Sequence, residues 1–174
     1  STPIKSSAAS DVYKRQNKDR FLRKETLQGF VHDEASAFFG GLAGNAGLFS
    51  TARDVARVYQ MLLNGGEIDG QRYLSKETCQ LFTTEISKIS RRGLGFDKPD
   101  ADDPKKGNCA PAAPAEVYGH TGFTGTCAWV DPMNELVYVF LSNRIYPDVT
   151  NRKLNQLHIR ERIQGAIYDA MKKK

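Results

Sequence analysis

Cysteine is scarce in this chain of 174 residues, and the three present, Cys79, Cys109 and Cys127, are odd in number and widely spaced. No Cys-x-x-Cys pair occurs, so neither a disulfide framework nor a zinc site is indicated. Histidine is as sparse: His32, His120 and His158 lie far apart, without the i, i+4 pairing that sets two imidazoles on one helix face. No metal and no cofactor are therefore expected. No apolar run is long enough to span a bilayer, and Ser1 to Ser10 lacks the apolar centre of a signal peptide. The glycines Gly40, Gly41, Gly44 and Gly47 are not followed by Gly-Lys-Ser/Thr, which excludes a phosphate cradle. No serine is followed three places later by lysine, so a nucleophile with its base one helical turn away is also missing.

Charge excludes a further class. The net charge of +5 suggests nucleic acid at first sight, but it sits at the two ends of the chain. Lys5, Lys14 and Arg15 against Asp11 give residues 1–16 a net +2, and Lys172 to Lys174 add +3, so residues 17–171 sum to zero. With no basic stripe interleaved by aromatics and no helix-turn-helix pattern, a nucleic-acid partner is not expected. The 40% hydrophobic content and mean hydropathy of −0.51 are those of a globular protein, and a chain of this size can bury about 70% of its unfolded surface.

What is present is concentrated in Tyr118-Gly-His-Thr-Gly-Phe-Thr-Gly-Thr126, which runs into the apolar stretch Cys127-Ala-Trp-Val130. A glycine at 122 lets a ligand approach the backbone without meeting a Cβ, so the amide of Phe123 can face a developing oxyanion. Thr121 offers a hydroxyl, and position 120 carries histidine, the side-chain type whose unperturbed titration lies near neutral pH, which suits proton transfer or a substrate carboxylate. The candidate catalytic residues are thus His120, Thr121, Gly122 and Phe123, the last through its backbone. The same glycine spacing also reads as an ordinary entry into a strand.

The remaining pattern predicts α+β. Residues 35–49 read as an Ala/Gly-rich loop. Thr51 and Asp54 form a capping box ahead of Val55, Val58, Tyr59, Leu62 and Leu63, a core-facing stripe on a helix ending at Asn64. A hairpin turns at Asp69-Gly70, and Ser75 caps a second helix reaching about Thr84. Leu94–Phe96 suits a short strand, and residues 97–115 a surface excursion. Two strands, about 125–130 and 136–142, are joined by Asp131-Pro-Met-Asn134, with His120 at the start of the first. Leu157, Ile159, Ile163, Ala166, Ile167 and Ala170 define an amphipathic helix lying across the sheet. Adjacent side chains on an extended segment point apart, so His32-Asp33 reads as a loop pair and not as part of a triad. Trp129 reads as core.

From about Leu27 onward the chain resembles the C-terminal half of the penicillin-recognising serine hydrolases, a family of class C β-lactamases, DD-peptidases and esterases. The resemblance is carried by Gly44-Asn-Ala-Gly-Leu-Phe-Ser-Thr-Ala-Arg-Asp54, Met61-Leu-Leu-Asn-Gly-Gly66, Arg92-Gly-Leu-Gly-Phe96, Gly119-His-Thr-Gly122 and Val139-Phe-Leu-Ser-Asn143, in that order. Gly29-Phe-Val-His-Asp33 and Gly95-Phe-Asp-Lys-Pro99 are similar to a module found beside, or fused to, bacterial family 3 β-N-acetylhexosaminidases. The resemblance implies a partial β-lactamase/transpeptidase-like fold, with antiparallel strands packed by helices and the N-terminal half of the domain missing. It implies an extracytoplasmic location and a small-molecule or peptidoglycan-derived substrate. His120, Thr121 and Gly122 match the family's Lys-Thr-Gly or His-Thr-Gly element, with the Phe123 amide as an oxyanion donor; the histidine form departs from most β-lactamases. The family's Ser-x-x-Lys has only the approximations Thr2-x-x-Lys5 and Thr150-x-x-Lys153. Its tyrosine element has only Tyr73-Leu-Ser75, placed after the helix that should follow it.

Asp11-Val-Tyr-Lys-Arg-Gln16 resembles the translation of a transposase end sequence used in sequencing libraries. Residues 1–16 are therefore expected to be an introduced join, and 17–174 the C-terminal part of one serine hydrolase domain. Such a fragment, without its nucleophile, is expected to be inactive. The alternative is a non-catalytic carbohydrate- or peptide-binding module that accompanies a glycosidase.

Overall fold

The computed structural model describes residue 23 and residues 27–84, 89–103 and 107–173. The proposed join at 1–16 and Thr2-x-x-Lys5 lie outside the described residues. The chain divides into two units, each described by itself below. One holds the described part of Ser1–Val55 with Gly122–Thr126 and Phe140–Leu157, and the other holds Ala56–Thr121, Cys127–Val139 and His158–Lys174.

In the second unit the sheet carries the core. Strands β3 (Tyr118–Thr121), β4 (Cys127–Asp131) and β5 (Leu136–Phe140) lie in the order β3-β4-β5. β3 and β4 are antiparallel, with Tyr118 opposite Val130 and His120 opposite Ala128. The turn between β4 and β5 is too short for a crossover, so these also run antiparallel. As the central strand, β4 buries all five of its residues. Asp131 makes the predicted turn by accepting from the amides of Met133 (2.9 Å) and Asn134 (3.1 Å). His120 does not begin the strand that holds Trp129: it stands on β3, a strand of its own, because Gly119 also exchanges backbone hydrogen bonds with Asp97 on its other side. Leu94–Phe96 is not a strand. Gly93 donates to the Phe96 carbonyl at 3.0 Å, closing a turn, and only Asp97 bridges to the sheet.

Local signals place most helices and the small hairpin. α2 (Ala52–Leu63) starts where Thr51 Oγ1 donates to Asp54 Oδ2 at 2.8 Å and accepts from the Asp54 amide at 3.1 Å. β1 (Glu67–Ile68) and β2 (Gln71–Arg72) close through Asp69 and Gly70, both at positive φ (53° and 76°), a conformation the Asp-Gly pair adopts readily. Ser75 accepts from the Thr78 amide and caps α3 (Lys76–Thr83). No residue of α2 is fully buried. Tyr59 packs edge-on to Phe96, and Phe96 to Tyr118, while Val58, about 60° round the helix from Val55, is 54% exposed.

α5 (Ile159–Met171), which follows the short α4 (Lys153–Gln156), forms as expected but turns another face inward. Its buried residues are Arg160, Glu161, Gln164 and Tyr168, whereas Ile163 is 37% exposed. These two faces lie roughly 130° apart at 100° per residue. Polar bonds decide the orientation: Tyr168 donates to Asp131 Oδ2 (2.8 Å), Tyr138 to the Arg160 carbonyl (3.1 Å), and the Ala110 amide to Gln164 Oε1 (2.8 Å). The cysteines are all free and buried.

In the first unit, α1 (Glu34–Phe38) interrupts the stretch read as a loop, because the Asp33 carboxylate accepts from the Ser36 amide at 2.8 Å and caps a single turn. Leu27, Val31 and Ile145 are buried, while Phe30, Phe38, Phe39, Leu42 and Leu48 stand 65–79% exposed. No described helix is long and apolar enough to cross a membrane.

Candidate functional site

His120 and Thr121 close β3, and Gly122 and Phe123 open the turn to β4. The His120 ring is exposed, and its Nδ1 lies 2.7 Å from the Thr121 carbonyl. A carbonyl only accepts, so Nδ1 is the donor in this contact. The Thr121 hydroxyl is half-exposed and forms no hydrogen bond among the described residues.

The turn at 122–126 is closed by two backbone bonds, Gly122 N–H to Thr126 O (2.8 Å) and Gly125 N–H to Gly122 O (2.9 Å). The second has a consequence for Phe123. In a trans peptide the Gly122 carbonyl and the Phe123 N–H lie in one plane and point in opposite directions. With that carbonyl drawn into the turn, the Phe123 N–H points away from it, and no acceptor for it exists among the described residues. Gly125 has φ 96°, and a Cβ there would come within 2.5 Å of Ser142 Oγ, so the turn admits no side chain at this point.

The Phe123 ring is 60% exposed. His32 stacks against it with centroids 5.7 Å apart, and the Arg144 guanidinium carbon lies 4.8 Å from its centroid. Neither partner is legible in the sequence as a neighbour of residue 123, since the three positions are joined only through the folded chain. Asp33 is occupied as the cap of α1, and its carboxyl is held below the usual value first by the Ser36 amide, so His32-Asp33 makes no dyad. The approximations to the missing motifs are structural. Tyr73 is exposed and donates to Gln71 Oε1 at 3.1 Å, Ser75 caps α3, and Thr150 donates to Asp148 Oδ2 at 2.7 Å.

A family model described as Beta-lactamase matches residues 3–161. The chain belongs to the beta-lactamase family. Proteins named "Putative D-alanyl-D-alanine carboxypeptidase" from Escherichia coli (strain K12) and Salmonella typhi are each 36% identical to it over 135 residues, 77% of this chain. The chain spans about a third of the length of these curated relatives, 31% in each case. A penicillin-binding protein homologue from Caulobacter crescentus is 26% identical, with a TM-score of 0.44 over 54% of this chain and 26% of its own.

Two other features belong to the second unit. A cavity of about 690 Å³ is lined by Leu62, Lys76, Cys79, Lys98 and Tyr118 among others, and by none of residues 120–123. Lys98 Nζ donates to the carbonyls of Thr83 (3.2 Å) and Glu116 (3.3 Å). The buried Asp97 receives Arg91 Nε (2.7 Å), Arg91 Nη2 (3.0 Å) and Asn108 Nδ2 (2.8 Å). Burial pushes its carboxyl up, but the bonds from Arg91 and Asn108, the Arg91 charge and the Lys98 amide outweigh this and hold it below the ordinary value. Among the described residues no group of three His, Cys, Asp or Glu could hold a metal ion.

Proposed function

We propose that this chain supplies one wall of the acyl-transfer pocket of a serine hydrolase that cleaves an ester or amide through an acyl-enzyme. The observation that supports it is the Phe123 N–H, turned away from the Gly122 carbonyl and without an acceptor among the described residues, beside the exposed Gly122. Such a donor stabilises the oxyanion of a tetrahedral intermediate. His120 serves as proton carrier or substrate ligand, and Thr121 as a hydroxyl donor. The attacking serine is not among these 174 residues in a Ser-x-x-Lys setting, so residues 17–174 act as the C-terminal part of one hydrolase domain and are inactive alone.

The relatives' carboxypeptidase name favours a peptidoglycan-derived substrate and an extracytoplasmic location. The segments Gly29–Asp33 and Gly95–Pro99 favour association with a family 3 β-N-acetylhexosaminidase. A fluorophosphonate probe added to the purified chain tests the central point. No serine labelling is expected, and stoichiometric labelling would overturn the reading. Sequencing the DNA upstream separates the alternatives: Ser-x-x-Lys followed by Tyr-x-Asn/Ser favours the hydrolase, and their absence a carbohydrate- or peptide-binding module.

A further inference from the structure

Arg144 meets the 122–126 turn at three points. Its amide donates to the Thr124 carbonyl at 2.9 Å. Its stem lies against Gly125, where an added Cβ would stand 3.4 Å from Arg144 Cγ. Its guanidinium lies over the Phe123 ring, and Nη1 donates to the Val149 carbonyl at 3.3 Å. Ser142 Oγ adds a second bond to the Thr124 carbonyl at 3.1 Å.

Each point bears on the peptide plane that carries the Phe123 N–H. Gly125 orients that plane through its bond to the Gly122 carbonyl. The ring of residue 123 controls it from the other side, because rotation about the Phe123 backbone that swings the ring outward also tilts its own amide. A phenylalanine this exposed is not held by burial. It is held by the cation over its face and by the stacked His32 ring.

We infer that Arg144 is a positioning residue that fixes the direction of the Phe123 N–H through the side chain of residue 123. The inference rests on the reading of that N–H as an oxyanion donor. Lysine is an incomplete substitute, since it keeps the charge but loses the flat guanidinium face.

The test uses the 174-residue chain labelled with ¹⁵N. In Arg144→Met, which keeps a stem and removes the cation, the backbone order parameter of Phe123 should fall from about 0.85 to below about 0.6. The Gly125 amide and the thermal midpoint should stay within error, which separates positioning from general stability. Arg144→Lys should recover at least half of the loss. An unchanged Phe123 order parameter in Arg144→Met, or a loss spread equally over residues 122–126, overturns the inference. Titration with methylphosphonate, a tetrahedral anion, tests the underlying reading separately. A downfield shift of the Phe123 amide in the unsubstituted chain, weakened at least threefold in Arg144→Met, supports both. Should the unsubstituted chain show no shift while the order-parameter contrast persists, the oxyanion reading fails and Arg144 is left as an anchor of the turn alone, which overturns the catalytic purpose inferred here.

Discussion

The stretch from Phe30 to Leu48 and the strand β4 use similar side chains with opposite results. Phe38 and Phe39 stand 75% and 77% exposed, while Trp129 is 1% exposed and Val130 is fully buried. Hydrophobicity is not the difference. β4 has a hydrogen-bonded strand on each side and is covered further by Tyr168 bonding to Asp131. α1 is one turn long, and five residues on a helix present too narrow a face to bury two adjacent phenylalanines. An apolar residue becomes core only where the backbone brings it partners.

Substitutions at the two places should diverge sharply. Trp129→Ala removes the largest fully buried side chain and should cost about 4 kcal/mol in urea unfolding. An effect below about 1 kcal/mol would mean that β4 is not the core. Next comes Asp97→Ala, which removes the buried acceptor of Arg91, Asn108 and the Lys98 amide, leaves Arg91 only Asp100 at 3.8 Å, and should cost about 3 kcal/mol. This contribution also has a pH signature. The native carboxyl titrates below its unfolded value, so its stabilisation is complete above about pH 4 and is lost as pH falls through the native value. The unsubstituted chain should therefore lose stability in that acid range, and Asp97→Ala should show a flatter profile.

A smaller loss is expected from Tyr168→Phe, about 2 kcal/mol for one hydrogen bond to a buried carboxylate. If Tyr168→Phe is neutral while Ile163→Ser is costly, α5 presents its apolar stripe inward after all. At the far end of the scale, Phe39→Ser should change stability by no more than about 0.5 kcal/mol. A large loss there would show that the exposed stretch is covered in solution, and would erase the contrast.

Reading the sequence succeeded where one residue bonds to another within a few positions. Thr51 with Asp54, Ser75 with Thr78, Asp69 with Gly70, and Asp131 with Met133 and Asn134 are of this kind. It failed where a distant partner chose between local options. The apolar stripe of α5 was visible, but Gln164 and Tyr168 turn the helix because Ala110 and Asp131 await them. His120 looked like the start of a strand because nothing near it announces the bridge from Gly119 to Asp97. The candidate site divides the same way. The triplet His120-Thr-Gly122 could be picked out by composition, whereas the contacts of His32 and Arg144 with Phe123 could not.

Residue order alone settled the caps, the tight turns and the identity of the chemical groups at 120–123, since these depend on neighbours along the chain. Folding settled which face of α5 is buried, that His120 stands on a strand separate from that of Trp129, and that His32 and Arg144 meet the ring of Phe123. Those outcomes follow from bonds between residues far apart in sequence, whose geometry no local pattern contains.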